Sequence, residues 1–397
     1  MDGAPLVLSV VSDDPFAIDV AHYSRQVEEI SDLIALKTFA NSEFCPRFIR
    51  DETDFDSIGN GLRGQTIVIV STCCGGHTRN ALAMRTCLVA RAAKDNGAER
   101  VILVEPDLFF SAQDRGPRPD HGESAFTRTP TDYKKFDGQP FSALLYAQLL
   151  RTSGIDGVVT IHNHSVSVQR LFRGEFRGEF RNLSPAELYA DYLMRQGMRD
   201  AGDIVICAPD AGAVPFVHQV HEALNRLTER LLLRPTPAVL LVDKVRTGER
   251  RVSVAVSAAS PTPITALEGR TVVVLDDMVR TGRTIVETCK LLKDAGAARV
   301  VFVVTHFYSS DEVKENLNHR AIDEIVTTNT LPTVLNRDMQ GRLRRKMLVL
   351  KIEAWVARFL QNWLCGVPVP AGGPAYAIDM SSKNPNWRPS HAFQDNV

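Results

Sequence analysis

Apolar residues in this chain fall into short unbroken runs separated by stretches in which they recur every three to four positions. The first pattern suits strands buried on both faces, the second amphipathic helices. Residues 65 to 104 read QTIVIVSTCC, then a helical segment, then KDNGAERVILV, and residues 270 to 304 read RTVVVLDDMV, then a helical segment, then KDAGAARVVFVV. Each is a strand, a polar loop, a helix ending at Gly97 or Gly296, and a second buried strand, the βαβ pattern of a parallel sheet. Further apolar runs at 158–161, 204–207 and 238–242 alternate with helical patterns at 142–150 and 217–233. The near-repetition predicts an α/β fold of two similar domains with parallel-type sheets flanked by helices. Functional residues are then expected just beyond the carboxyl ends of the strands.

The domains are expected over 1–172 and 173–345, with a C-terminal helix and tail over 346–397. Residues 115–140 are polar and rich in Pro, Gly and Asp, which predicts a long exposed loop inserted in the first domain. RGEFRGEFR at 173–181 is a two-unit duplication near the expected boundary, too short for a solenoid. Residues 347–363 carry an amphipathic helical pattern that should pack on one of the domains. From about residue 366 the Pro/Gly/Ser-rich sequence predicts an extended arm or disordered tail.

Composition narrows the function. With 397 residues, 44% hydrophobic and 23% charged, the chain is neither collagen-like nor disordered throughout, and it is long enough for two or three cores. Its 46 Lys+Arg balance 47 Asp+Glu, so no global field favours nucleic acid or a membrane surface. Seven cysteines without CxxC pairs argue against a disulfide framework or zinc ribbon. No basic leader and no run of about 18 apolar residues is seen, and a cytoplasmic location is expected.

Two phosphate-binding patterns can be set aside. Gly59, Gly61 and Gly64 match GxGxxG, but they precede the strand at 67–70 rather than follow one, and no GxxxxGK[ST] occurs. The informative string is VVVLDDMVRTGRT at 272–284. A buried strand delivers Asp276 and Asp277 to its end, and Thr281, Gly282, Arg283 and Thr284 turn into a helix. Amides at a helix start, threonine hydroxyls and a glycine that permits close approach favour phosphate. Two carboxylates would repel that anion, so they suit vicinal sugar hydroxyls or a magnesium ion; the plainer alternative is a helix cap beside two solvated acids. His162 and His164 form an HxH pair, and Cys73 with Cys74 sits at a strand end, where packing and thiol reactivity are both open.

The 272–284 string resembles the phosphoribosyl-pyrophosphate signature of type I phosphoribosyltransferases. RGQTIVIVST, AQDR at 112–115, GVVTIH at 157–162, APDAGAV at 208–214, LVDKVR at 241–246 and THFYSS with AIDEIVTTNTLP at 305–332 are similar to the ribose-phosphate pyrophosphokinase family. The resemblance implies a duplicated phosphoribosyltransferase-like fold that moves pyrophosphate from ATP to ribose 5-phosphate with Mg2+. Asp276 and Asp277 would hold the ribose hydroxyls, and Thr281, Gly282, Arg283 and Thr284 the 5-phosphate. Lys244 and Arg246 match the catalytic loop cations, His162 and Asp210 the magnesium-associated positions. Gln113, Asp114 and Arg115 match the ATP loop, and Phe39 and Glu43 the adenine contact made across a homo-oligomer, dimer-based or hexameric. Arg280 and Arg283 replace an acid and a small residue of the family loop, Ala112 an arginine, and Asn41 an aspartate. The resemblance also leaves room for a catalytically silent regulatory subunit, and for a phosphoribosyltransferase that consumes the pyrophosphorylated sugar.

Overall fold

The structure, a computed structural model, describes residues 4–49, 53–124, 127–195, 204–230, 237–247, 251–366, 376–381 and 387–388. Two compact units emerge, one of residues 1–183 with 356–369, the other of 184–355 with 370–397. The first unit thus runs past the boundary expected at 172 and takes back part of the C-terminal helix.

In unit one, β1 (Leu6–Ser9), β4 (Thr66–Val70), β5 (Arg100–Val104), β6 (Gly157–Ile161) and β7 (Phe180–Leu183) form an all-parallel sheet in that order. The hairpin β2 (Ile34–Thr38) and β3 (Phe44–Phe48) stands as a separate two-stranded sheet. The apolar runs behave as expected, for Ile67 to Val70 and Val101 to Val104 are fully buried. RGEFRGEFR is part of this core, because Phe176 stacks on the buried Phe172 and Phe180 packs against it at a tilt. The predicted loop 115–140 is partly folded. It contains the helix Pro130–Lys134, opened by a capping box between Thr129 and Asp132.

Unit two holds β8 (Ile204–Ala208), β9 (Ala238–Thr247), β10 (Arg251–Val256), β11 (Thr271–Val279), β12 (Arg299–Phe307), β13 (Glu324–Thr328), β14 (Met347–Lys351), β15 (Tyr376–Asp379) and β16 (Trp387–Arg388). Their order is β10-β9-β8-β11-β12-β13-β14-β15-β16, parallel from β9 to β14 and antiparallel at both margins. Two expectations are corrected. Residues 347–351 are a strand, because MLVLK is an unbroken buried run that a helical period also fits, and the helix begins only at Glu353. In the tail, Tyr376–Asp379 and Trp387–Arg388 add strands to the sheet, and the rest of the tail lies outside the described residues.

Both predicted helix stops are present. The helices Arg79–Asp95 and Arg283–Asp294 end in a left-handed glycine, Gly97 at φ 88° and Gly296 at φ 89°. The next amide, of Ala98 or Ala297, donates back to Ala93 or Leu292, closing the same cap twice.

Candidate active site

Strand order in unit two reverses between β8 and β11, since the chain passes outward from β8 to β9 and later from β11 to β12. Open parallel sheets bind ligands at the carboxyl ends of such neighbouring strands. There the structure gathers Asp210, just past β8, with Asp276 and Asp277 on β11. Burial pushes the Asp276 carboxyl well above its ordinary value, and the negative charges of Asp277 and Asp210 push it further. The Asp277 amide donates to Asp276 Oδ1 at 2.9 Å. Asp210 Oδ1 accepts from the Gly212 amide at 2.9 Å, which fixes the turn after β8.

Past β11 the chain turns through Arg280 and Thr281 into the helix Arg283–Asp294. Its cap is Gly282 at φ 77°, which supplies no side-chain acceptor to the first amides. A Cβ at Gly282 would lie 3.0 Å from Leu317 Cδ2, so both backbone angle and packing call for glycine. Asn316 Nδ2 donates to the Thr281 carbonyl at 2.7 Å and holds that carbonyl away from the amides. Thr281 is exposed and Thr284 half-buried, within the first turn. Arg283 is engaged elsewhere, since its guanidinium pairs with Glu312 Oε1 at 2.8 Å.

Lys244 and Arg246 lie on a ribbon. Pairing of β9 with β8 stops at Leu241, and β9 continues to Thr247 paired with β10 alone, Lys244 opposite Val254 and Arg246 opposite Val252. The ribbon runs beyond the strand end that leads to Asp210, with residues 244 and 246 on one face. Lys244 is exposed; the Arg246 side chain lies outside the described residues.

Unit one brings a second group together. Ser165 Oγ donates to Asp114 Oδ2 at 2.7 Å, tying the loop after β6 to residues 112–115. Arg115 Nε sits 3.3 Å from Asp114 Oδ1, and Gln113 is exposed beside them. His162 ends β6 in the left-handed region at φ 48°, rare for a residue with a side chain, and its amide donates to the Leu183 carbonyl at 2.9 Å. His164 is exposed in the same loop. Phe39 and Glu43 bracket the β2–β3 turn, with the Phe39 amide donating to the Glu43 carbonyl at 2.8 Å. The Phe39 ring is 43% exposed and carries the Lys37 ammonium on its face. His162 and Asp210 belong to different units. Among the described residues, no group of three or more His, Cys, Asp or Glu is arranged to hold a metal ion by itself.

The sequence reading missed a buried network at the carboxyl end of β5. Glu105 accepts from the Phe109 amide and from Tyr146 Oη, each at 2.8 Å, and burial pushes its carboxyl up to about 8 despite those bonds. Arg79 pairs with Asp107 and stacks on Phe109. The signal was present: EPD follows the buried strand VILV as DD follows VVVL. Burial also drives the Cys73 and Cys74 thiols up to about 12, so at neutral pH they are packing groups.

Residues 186–335, which include β8 to β13 and the 276–284 loop, match the model of the phosphoribosyl transferase domain. A ribose-phosphate pyrophosphokinase of Corynebacterium efficiens is 28% identical over 313 residues, 78% of this chain and 80% of that protein. Ribose-phosphate pyrophosphokinase 2 of Saccharomyces cerevisiae is 26% identical, over 71% of this chain and 76% of its own length. The chain is thus similar to ribose-phosphate pyrophosphokinases over most of its length. The crystal structure of phosphoribosylpyrophosphate synthetase from Mycobacterium smegmatis has the same fold, with a TM-score of 0.67 at 22% identity, covering 92% of this chain and all of that one. Among the described residues, no helix is long and apolar enough to cross a membrane.

Proposed function

We propose that this protein transfers the pyrophosphoryl group of ATP to the 1-hydroxyl of ribose 5-phosphate, giving phosphoribosyl pyrophosphate and AMP. The observation that carries the reading is the pairing of Asp276 and Asp277 with a helix start at Gly282 that has no side-chain cap. Carboxylates accept hydrogen bonds from the vicinal hydroxyls of ribose, and the amides of Gly282 to Thr284 with the two threonine hydroxyls receive the 5-phosphate. Asn316 keeps the Thr281 carbonyl out of that cradle. Lys244 and Arg246 supply positive charge to the transferred phosphates, where it is worth most as the bond to the leaving AMP lengthens. On the nucleotide side, Gln113, His162 and Arg115 braced by Asp114 take the phosphates, and Phe39 and Glu43 take the adenine of a nucleotide bound by a neighbouring copy in a homo-oligomer. The setting is the cytoplasm, where both substrates are made.

Magnesium fits the residues present. Asp210, Asp276 and Asp277 offer carboxylate oxygens at adjoining strand ends, and their mutual repulsion is of the kind a cation relieves. Magnesium keeps several waters and uses one or two carboxylates together with substrate phosphates, so it requires no closed cage of side chains. Asp210 would hold it in unit two. When bound, the ion neutralises charge on the phosphate oxygens.

The test is to incubate the protein with ATP, ribose 5-phosphate and magnesium and follow phosphorus NMR. The joint appearance of AMP and a 1-pyrophosphorylated sugar is expected, and Lys244→Ala should slow it by about 10²–10³-fold. Neither product, with an active synthetase as control, would overturn the reading. Release of pyrophosphate from added phosphoribosyl pyrophosphate would favour a phosphoribosyltransferase.

A further inference from the structure

The inserted segment between β5 and β6 is built around one arginine. Arg128 donates to the Gly116 carbonyl at 2.6 Å and to the His121 carbonyl at 3.3 Å, which folds 116–124 back on itself. Its guanidinium lies 4.2 Å from the ring centre of Tyr133 and 5.2 Å from that of Phe136. The segment is also fastened to the loop after β6, since the Glu123 amide donates to Ser167 Oγ at 3.1 Å and Ser167 Oγ to the Asp114 carbonyl at 2.8 Å. Phe136 therefore occupies a fixed place, and it has a second cation on it: the Arg115 guanidinium, 5.4 Å from its centre. Arg115 is braced at Nε by Asp114, itself held by Ser165, and its side chain is 36% exposed.

We infer that Phe136 is a positioning residue that presents the Arg115 guanidinium to the phosphates of the bound nucleoside triphosphate. An arginine stem is long and rotamer-rich, so an unsupported one loses much of its charge–charge gain to ordering. A π face beneath the guanidinium and a carboxylate at its Nε fix the plane of a group that stays partly exposed. Three residues earlier, Ala112 stands where the resembled family has arginine, so this chain has one fewer cation in the loop. The insertion makes up that loss by stiffening the cation that remains. This deepens the assignment of residues 113–115 to ATP and rests on it.

The experiment measures ATP affinity by equilibrium titration of the full chain, alongside steady-state kinetics, for the wild type, Phe136→Leu, Phe136→Trp and Arg115→Gln. Phe136→Leu keeps an apolar side chain and removes the π face. It should raise Kd and KM for ATP about five- to thirtyfold, with kcat and the KM for ribose 5-phosphate within about twofold. Phe136→Trp should restore ATP affinity, and adding Phe136→Leu to Arg115→Gln should cost nothing further. Unchanged ATP affinity in Phe136→Leu, or a loss spread equally over both substrates and kcat that tryptophan fails to rescue, would overturn the inference while leaving the reaction standing. A wild type that binds ATP yet makes no phosphoribosyl pyrophosphate would overturn the reaction, and the ATP titration would still decide the role of Phe136.

Discussion

At the amino ends of their central strands the two units are braced alike. Asp156 accepts from the Val101 amide at 2.8 Å and from Lys94 at 2.7 Å; Asp323 accepts from the Val300 amide and from Lys293, each at 2.7 Å. At the carboxyl ends they part. Pairing of Thr66 with Arg100 and of Thr271 with Arg299 aligns β4 with β11, so Ser71 and Thr72 stand where unit two has Asp276 and Asp277. Both hydroxyls are used internally, Ser71 accepting from Thr86 at 3.1 Å and Thr72 donating to Asp14 at 2.8 Å. The helix that follows is capped by Thr78, whose hydroxyl accepts from the Ala81 amide at 3.2 Å, where its counterpart has Gly282. One scaffold thus carries two kinds of strand end. Unit one satisfies these polar groups from within, whereas in unit two the helix start has no side-chain cap and Asp276 feels the charges of Asp277 and Asp210.

The sharpest way to break this comparison is Gly282→Ala. The left-handed angle and the contact with Leu317 together should cost about 2–4 kcal/mol in the loop. The KM for ribose 5-phosphate should then rise about a hundredfold, and an unchanged KM would remove the loop from the substrate site. Thr78→Ala, at the matching place in unit one, should lower thermal stability by about 1 kcal/mol and leave that KM alone.

Glu105 probes the internal satisfaction of unit one. Its carboxyl holds a proton in the folded state up to about pH 8 and releases it at a much lower pH when unfolded. Its contribution is complete below the unfolded value and declines as pH rises through about 8. Glu105→Gln, neutral at every pH, should therefore gain on the wild type by about 1–3 kcal/mol between pH 5 and pH 8.5 in thermal or urea unfolding. Parallel stability curves would show that the side chain ionises freely in the fold. The smallest effect concerns the shared braces: Asp156→Asn and Asp323→Asn should each cost about 1 kcal/mol, and a large inequality would mean that the duplicated brace is not equivalent.

The duplication was readable because buried strands and helix stops recur in the sequence at matching places, and Gly97 and Gly296 closed their helices as expected. What escaped was whatever depends on partners distant in sequence. MLVLK at 347–351 fits either period, and only its neighbours β13 and β15 make it a strand. The insertion read as a loop because its order comes from Arg128, a residue whose polar character gives no hint of two aromatic rings beneath it. The paired acids and the glycine of the 272–284 string were legible because their chemistry is local. The engagement of Arg283 by Glu312 was not, since Glu312 arrives on another helix.

The helix Glu353–Cys365 opens in unit two, yet from Val356 onward it counts with unit one, where Trp363 lies over both Arg100 and Arg181. Val356, Ala357 and Leu360 are fully buried. During synthesis most of the first unit emerges early, but the piece that finishes it is made only after residues 184–355 of the second. Until then its core lacks Val356, Ala357 and Leu360, the last of its own buried residues to arrive.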